Sequence, residues 1–179
     1  MRSFIQAISL AAVATAFLFF AGCQGSGSML TEETEDEIPW NSNVVLVETD
    51  VPADSLYSAF RQELKQRQFT LKDENRSEHT TSTEPKDIGQ RVVLVVNGDV
   101  SSSSGGSTLK LTGMTGDASL NETAAALTDM EGGSGEGVRR ATWYRAGDMQ
   151  RGYAKLVKIA QTLPGTISHK EEDTDRGVF

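Results

Sequence analysis

The sequence predicts an α+β fold: an antiparallel sheet of four to five strands with two helices packed on one face. Three observations carry this expectation. Arg91–Val100 (RVVLVVNGDV) is the strongest β-branched run in the chain. Beyond the Ser- and Gly-rich link Ser101–Gly106, Leu109 and Leu111 alternate with Thr108, Lys110 and Thr112, as in the second arm of an antiparallel hairpin. Two further stretches carry apolar residues at helical spacing and flank the strand run, so both can cover the same face and leave the other wet.

Order is expected to begin near Ile38-Pro39-Trp40. Asn43–Thr49 (NVVLVET) reads as the first strand. A helix follows, with Pro52 in its first turn, Asp54 at the positive end of its dipole, and Ala53, Leu56, Tyr57, Phe60 and Leu64 along one side. Phe69 and Leu71 mark a short strand that exits into a polar turn, Asp73–Ser77. Glu78–Thr83 (EHTTST) suits an exposed strand stopped by Glu84-Pro85. After the hairpin, residues 113–137 become rich in Gly, Asp, Thr and Ser and are expected to form a mobile loop. Val138–Arg145 (VRRATWYR) reads as a last strand. Asp148 is the expected N-cap of the second helix, with Met149, Tyr153, Leu156, Val157, Ala160 and Leu163 on its apolar side until Pro164-Gly165. The order is thus βαββββ(β)α within one domain, residues 39–167, and the charged tail 168–179 is expected to fray.

The first residues are of a different kind. After Met1-Arg2 the chain is apolar from Phe4 to Phe20 apart from Gln6, Ser9 and Thr15, then ends in small residues before its single cysteine, Cys23. An export signal over residues 1–22 fits this better than a membrane span, which needs about 20 apolar residues. Phe20-Ala21-Gly22-Cys23 resembles the lipobox of bacterial lipoproteins, with Phe20 where that family usually has Leu. The resemblance implies cleavage between Gly22 and Cys23, a diacylglyceryl group on the Cys23 thiol and acylation of the new amino terminus. Two or three acyl chains make a firm anchor, because each buried methylene contributes about 0.8 kcal/mol. Gln24, in place of the Asp that marks inner-membrane retention in that family, favours the periplasmic face of the outer membrane. Residues 23–38 (QGSGSMLTEETEDE and its flanks) then read as an acidic flexible tether.

The order of elements over 53–112 is similar to small bacterial lipoproteins of the helix-grip or TATA-binding-protein-like type, such as the domains of the assembly lipoprotein BamC. That resemblance implies a fold and transfers no site residue.

Composition excludes more than it identifies. With 17 Lys and Arg against 25 Asp and Glu, the net charge of −8 and the lack of basic runs argue against a nucleic-acid partner. His79 and His169, the two histidines, have no nucleophile or ligand beside them in sequence. Ser107 and Lys110 spell S-x-x-K, but on a strand residues three apart point to opposite faces. Asp117, Ser119 and Asn121 lack the rest of a calcium loop, and Gly132–Gly137 lacks the strand, helix and Lys of a phosphate loop. Trp143 and Tyr144 are expected in the core. The function expected is therefore a non-catalytic, lipid-anchored envelope module that binds a protein partner, with no cofactor and no metal. Two alternatives remain: a small apolar ligand between sheet and helices, or a hydrolase using Asp73, Glu74, Glu78 or Glu84.

Overall fold

In the computed structural model, residues 30–118, 138–144 and 147–172 are described. In chain order the elements are α1 (Glu32–Asp36), β1 (Val44–Thr49), α2 (Ala53–Gln66), β2 (Leu71–Asn75), β3 (Thr80–Thr83), β4 (Lys86–Asp87), β5 (Val92–Ser103), β6 (Gly106–Asp117), β7 (Arg139–Arg140), α3 (Asp148–Ala160) and β8 (Thr166–Lys170). The fold is α+β and mostly sheet. Among the described residues eight strands, not four to five, form one open antiparallel sheet in the order β2-β3-β5-β6-β1-β8, with β4 on β5 and β7 on β6.

The β5–β6 hairpin is its axis. Its register runs from Val92↔Asp117 to Ser103↔Gly106, so the link tightens to Ser104-Gly105. Burial alternates along β6, and Ser107, Leu109, Leu111, Gly113 and Thr115 define an inner face. Leu94, Val96 and Val100 of β5 share that face with Val45 and Val47 of β1. Both long helices cover it. Leu56, Phe60 and Leu64 of α2 and Leu156 and Ile159 of α3 are fully buried there, each contributing about 1.5–3 kcal/mol relative to exposure. Two glycines permit the close approach. A Cβ on Gly98 would stand 2.2 Å from the Phe60 ring, and one on Gly152 would stand 2.2 Å from Thr115 Cγ2. The opposite, outer face carries a small apolar cluster of Val93, Val95, Met114 and Val138 and the buried Val44 at the start of β1, and is otherwise largely wet.

Several boundaries differ from expectation for identifiable reasons. Asp73, Glu74 and Asn75 are strand rather than turn, because β2 pairs β3 as far as Asn75↔Thr80. Thr81 and Thr83 of β3 are buried, because inner-face partners use their hydroxyls: Tyr57 Oη lies 2.7 Å from Thr81 Oγ1, and Val96 N–H donates to Thr83 Oγ1. Residues 113–117 extend β6 instead of opening a loop, and 119–137 lie outside the described residues. Of the described part of the expected last strand, 138–144, only Arg139–Arg140 is strand, after which Ala141 N–H bonds the Gly113 carbonyl and Trp143 N–H the Ser42 carbonyl; Arg145 lies outside the described residues. Asp148 is the first residue of α3 rather than its N-cap; Gly147 (φ 109°) is the cap, and no side chain caps the helix.

The described parts of the expected tether and tail, 30–38 and 168–172, also carry structure, and 23–29 and 173–179 lie outside the described residues. Within 30–38, α1 is capped by Thr31, whose hydroxyl accepts from Thr34 N–H, while Ile38 is buried and Leu30 packs on the core. At the other end, beyond 167, β8 pairs β1 antiparallel, Val44↔Lys170 to Glu48↔Thr166. The α2 terminus shows how local pattern becomes fold. Gln68 (φ 61°) takes the left-handed position, its N–H bonds the Lys65 carbonyl, and Phe69 N–H bonds the Leu64 carbonyl while its ring is buried.

The Gly98–Phe60 contact is testable. Gly98→Ala is expected to lower unfolding free energy by about 1–3 kcal/mol, read from urea midpoints. The same substitution is expected to cost less in a Phe60→Leu background; equal costs in the two backgrounds would contradict the contact.

Candidate functional site

The wet face of the sheet holds a polar groove of about 530 Å³. Strand register builds its floor as two rows running across four strands. One row is Asp73–Ser82–Asn97–Thr112 and the other is Asn75–Thr80–Asp99–Lys110, from β2, β3, β5 and β6 respectively. Neighbouring strands stand about 4.8 Å apart, so the rows span roughly 14 Å. Arg140 of β7 closes one end. No aromatic ring lines the groove among the described residues.

The two ends differ in charge. Asp73 and Asp99 lie toward β2 and β5, with Lys110 and Arg140 toward β6 and β7. Asp99 and Lys110 are cross-strand neighbours, yet the Lys110 ammonium turns to Glu172, 2.6 Å away. Glu172 is fixed by a two-point clamp: Asn43 Nδ2 donates to its carbonyl at 2.8 Å, and its own N–H donates to Asn43 Oδ1 at 2.9 Å. The hydrogen bond from Lys110 holds its carboxyl below the usual range despite partial desolvation, helped by the charges of Lys110, Lys170 and Arg140. Asp99 makes no ion pair among the described residues and faces the groove. This wall of amides, hydroxyls and separated charges can bind a polar partner through hydrogen bonds and ion pairs.

The other residues singled out in the sequence are placed as follows. Gly22, Cys23 and the preceding signal lie outside the described residues, as do Ser119, Asn121 and Gly132–Gly137. Ser107 and Lys110 point to opposite faces: the Ser107 hydroxyl donates inward to the Val51 carbonyl at 2.6 Å, and Lys110 lines the groove. Trp143 is buried beside Tyr153, whereas Tyr144 stands edge-on to Trp40, 5.6 Å between centroids, at the one large apolar side chain that is exposed among the described residues. Of the four carboxylates considered for hydrolysis, Asp73 and Glu74 sit on opposite faces of β2, and all four residues are exposed. Glu74 is held below the usual carboxylate range by the Arg76 hydrogen bond, assisted by Arg61, which is the reverse of what a general acid needs.

The histidines divide. His79 is in the turn before β3 with φ 54°, not in a strand, and its Nε2 is 2.7 Å from the exposed Asp54 Oδ1. His169 is not in a frayed tail but on β8, half-buried, with Nδ1 3.0 Å from the Tyr153 hydroxyl, which donates to the Val44 carbonyl. Burial pushes the Tyr153 hydroxyl well above its ordinary value and lowers His169. The groove itself had no sequence signal beyond the expected wet face, because its residues come from strands up to 67 positions apart, from Asp73 to Arg140. No protein-family model matches the chain, and no curated protein matches it significantly.

His169 and Glu172 both predict acid sensitivity. A histidine whose folded pKa lies below 6.5 favours the neutral form, so its contribution is full above 6.5 and is lost as pH falls toward the lower folded value. Glu172 contributes above 4.5 and loses that contribution as pH falls through its depressed folded value. Urea midpoints measured against pH should therefore decline below 6.5, and His169→Gln should flatten the first part of that decline while Glu172→Gln flattens the part below 4.5. Unchanged slopes in both variants would contradict the assignments.

Proposed function

We propose that this chain is a non-catalytic, lipid-anchored cell-envelope lipoprotein whose outer sheet face is a contact surface for an envelope protein. The observation that carries the proposal is the division of one sheet into a covered apolar face and an uncovered polar groove with charged ends. An apolar face must be covered, whereas a groove of Asn97, Asp99, Lys110, Thr112 and their neighbours offers directional hydrogen bonds to a partner. The lipobox-like Phe20-Ala21-Gly22-Cys23 supports the anchor, and Gln24 supports the periplasmic face of the outer membrane. The likeness to helix-grip lipoproteins belongs to the same proposal. It rests on a long helix after the first strand, a central hairpin, and a second long helix after the strand run.

Neither alternative gains support. The Gly98–Phe60 and Gly152–Thr115 approaches leave no gap for an apolar ligand at those helix-sheet crossings. Asp73 and Glu74 line the groove, but they sit on opposite faces of β2 and Glu74 is held below the usual carboxylate range by the Arg76 hydrogen bond, the reverse of what a general acid requires; Glu78 and Glu84 lie outside the groove.

Metabolic labelling with a radioactive fatty acid, followed by membrane fractionation, tests the anchor. The natural chain is expected to carry label and sediment with the outer membrane, and Cys23→Ala is expected to lose both. A natural chain without label would overturn the anchor.

A further inference from the structure

Four cations that are dispersed in the sequence meet on the helix side of the molecule. Arg67 is the C-cap of α2, Lys86 is on β4, and Lys155 and Lys158 lie one turn apart on α3. Arg67 Nη2 donates to the Lys158 carbonyl at 2.9 Å, and Lys86 Nζ donates to the Arg67 carbonyl. The same ammonium lies 5.0 Å from the centroid of the buried Phe69 ring. All four residues are half-buried.

Their charges are poorly balanced. Glu63, paired with Arg67, is the acid in ion-pair contact with any of the four among the described residues. This excess of positive charge occurs in a chain of net charge −8. Helix dipoles account for part of it, since Arg67 and Lys158 sit at C-terminal turns, but Lys86 belongs to a strand and Lys155 precedes the last turn. Lys155 registers the strain: burial, then the charges of Arg67, Lys158 and Lys86, lower its pKa. Half-buried like charges drawn together without matching acids cost stability unless an anion offsets them.

We propose that Arg67, Lys86, Lys155 and Lys158 form a binding site for a phosphate group. A phosphate carries a charge of about −1.5 to −2 and three strong acceptor oxygens, so one group offsets most of the local excess and engages several donors at once. A single carboxylate supplies half the charge. The phosphate is that of an anionic lipid headgroup or of a soluble ligand, and the two sources share this chemistry. The site lies apart from the outer-face groove and does not depend on it.

Thermal unfolding of the full chain in potassium phosphate, against potassium chloride at equal ionic strength, reads the soluble arm. Cosedimentation with phosphatidylcholine vesicles, with and without phosphatidylglycerol, reads the lipid arm. The natural chain is expected to be stabilised by phosphate, and Lys155→Gln/Lys158→Gln to bind it about tenfold more weakly, while exposed Lys65→Gln changes nothing. Phosphate is also expected to raise the titration midpoint of the Lys155 ammonium, followed by NMR, which a purely structural cluster would not do. A difference between natural and double-variant chains seen only on phosphatidylglycerol vesicles assigns the group to a lipid headgroup; one seen with inorganic phosphate alone assigns it to a soluble ligand. If the double variant does not fold, Lys158→Gln alone carries the comparison. The proposal is overturned if neither arm distinguishes the natural chain from the variant.

Discussion

The pairing of β5 with β6 is the constraint on which the rest of the molecule depends. Twelve residues on each strand are in register from Val92↔Asp117 to Ser103↔Gly106, and this ladder decides which side chains face the helices and which face water. Slipping it by one residue would carry Leu109 and Leu111 to the outer face and Lys110 into the core. Everything attached to the hairpin inherits its register: β3 and β4 on the β5 side, β1 and β7 on the β6 side, and β8 through β1.

The inner face is closed by shape as much as by hydrophobicity. Phe60 reaches the sheet because Gly98 has no Cβ, and α3 settles onto Thr115 because Gly152 has none. The two helices then share a boundary through Arg67 and the Lys158 carbonyl. The segments Asn43–Glu48 and Thr166–Glu172 are tied together at one sheet edge. β8 runs along β1, and Asn43 clamps Glu172 so that its carboxylate meets Lys110 on the outer face. Sheet edge, C-terminal segment and groove are thereby one connected structure.

Elements with a strong period were legible in the sequence, and those defined by distant partners were not. Val44–Thr49, Ala53–Gln66 and the hairpin announce themselves because their apolar residues recur at two or at three to four positions. β8 does not, because an edge strand reading Thr-Ile-Ser-His-Lys has one large apolar residue and looks like charged tail. α1 was hidden in the same way: its acidic residues read as a tether, and its docking rests on Leu30 and Ile38 at its flanks. Thr81 and Thr83 looked exposed by composition and are buried by the hydroxyl partners that α2 and β5 present. The groove and the cluster of Arg67, Lys86, Lys155 and Lys158 are products of topology, since each gathers residues from several elements that carry no motif. The wet face itself was foreseeable, because two amphipathic helices on one side of a sheet leave the other side open.

The contact surface proposed for this chain is the polar outer face and not the helix layer. Site-specific photo-crosslinking in intact cells tests it most directly, with a benzophenone amino acid placed at Thr112 in the groove or at Gln62 on the exposed side of α2. A discrete adduct with one envelope protein is expected from Thr112 and none from Gln62. Adducts from Gln62 alone, or none from Thr112, would contradict it.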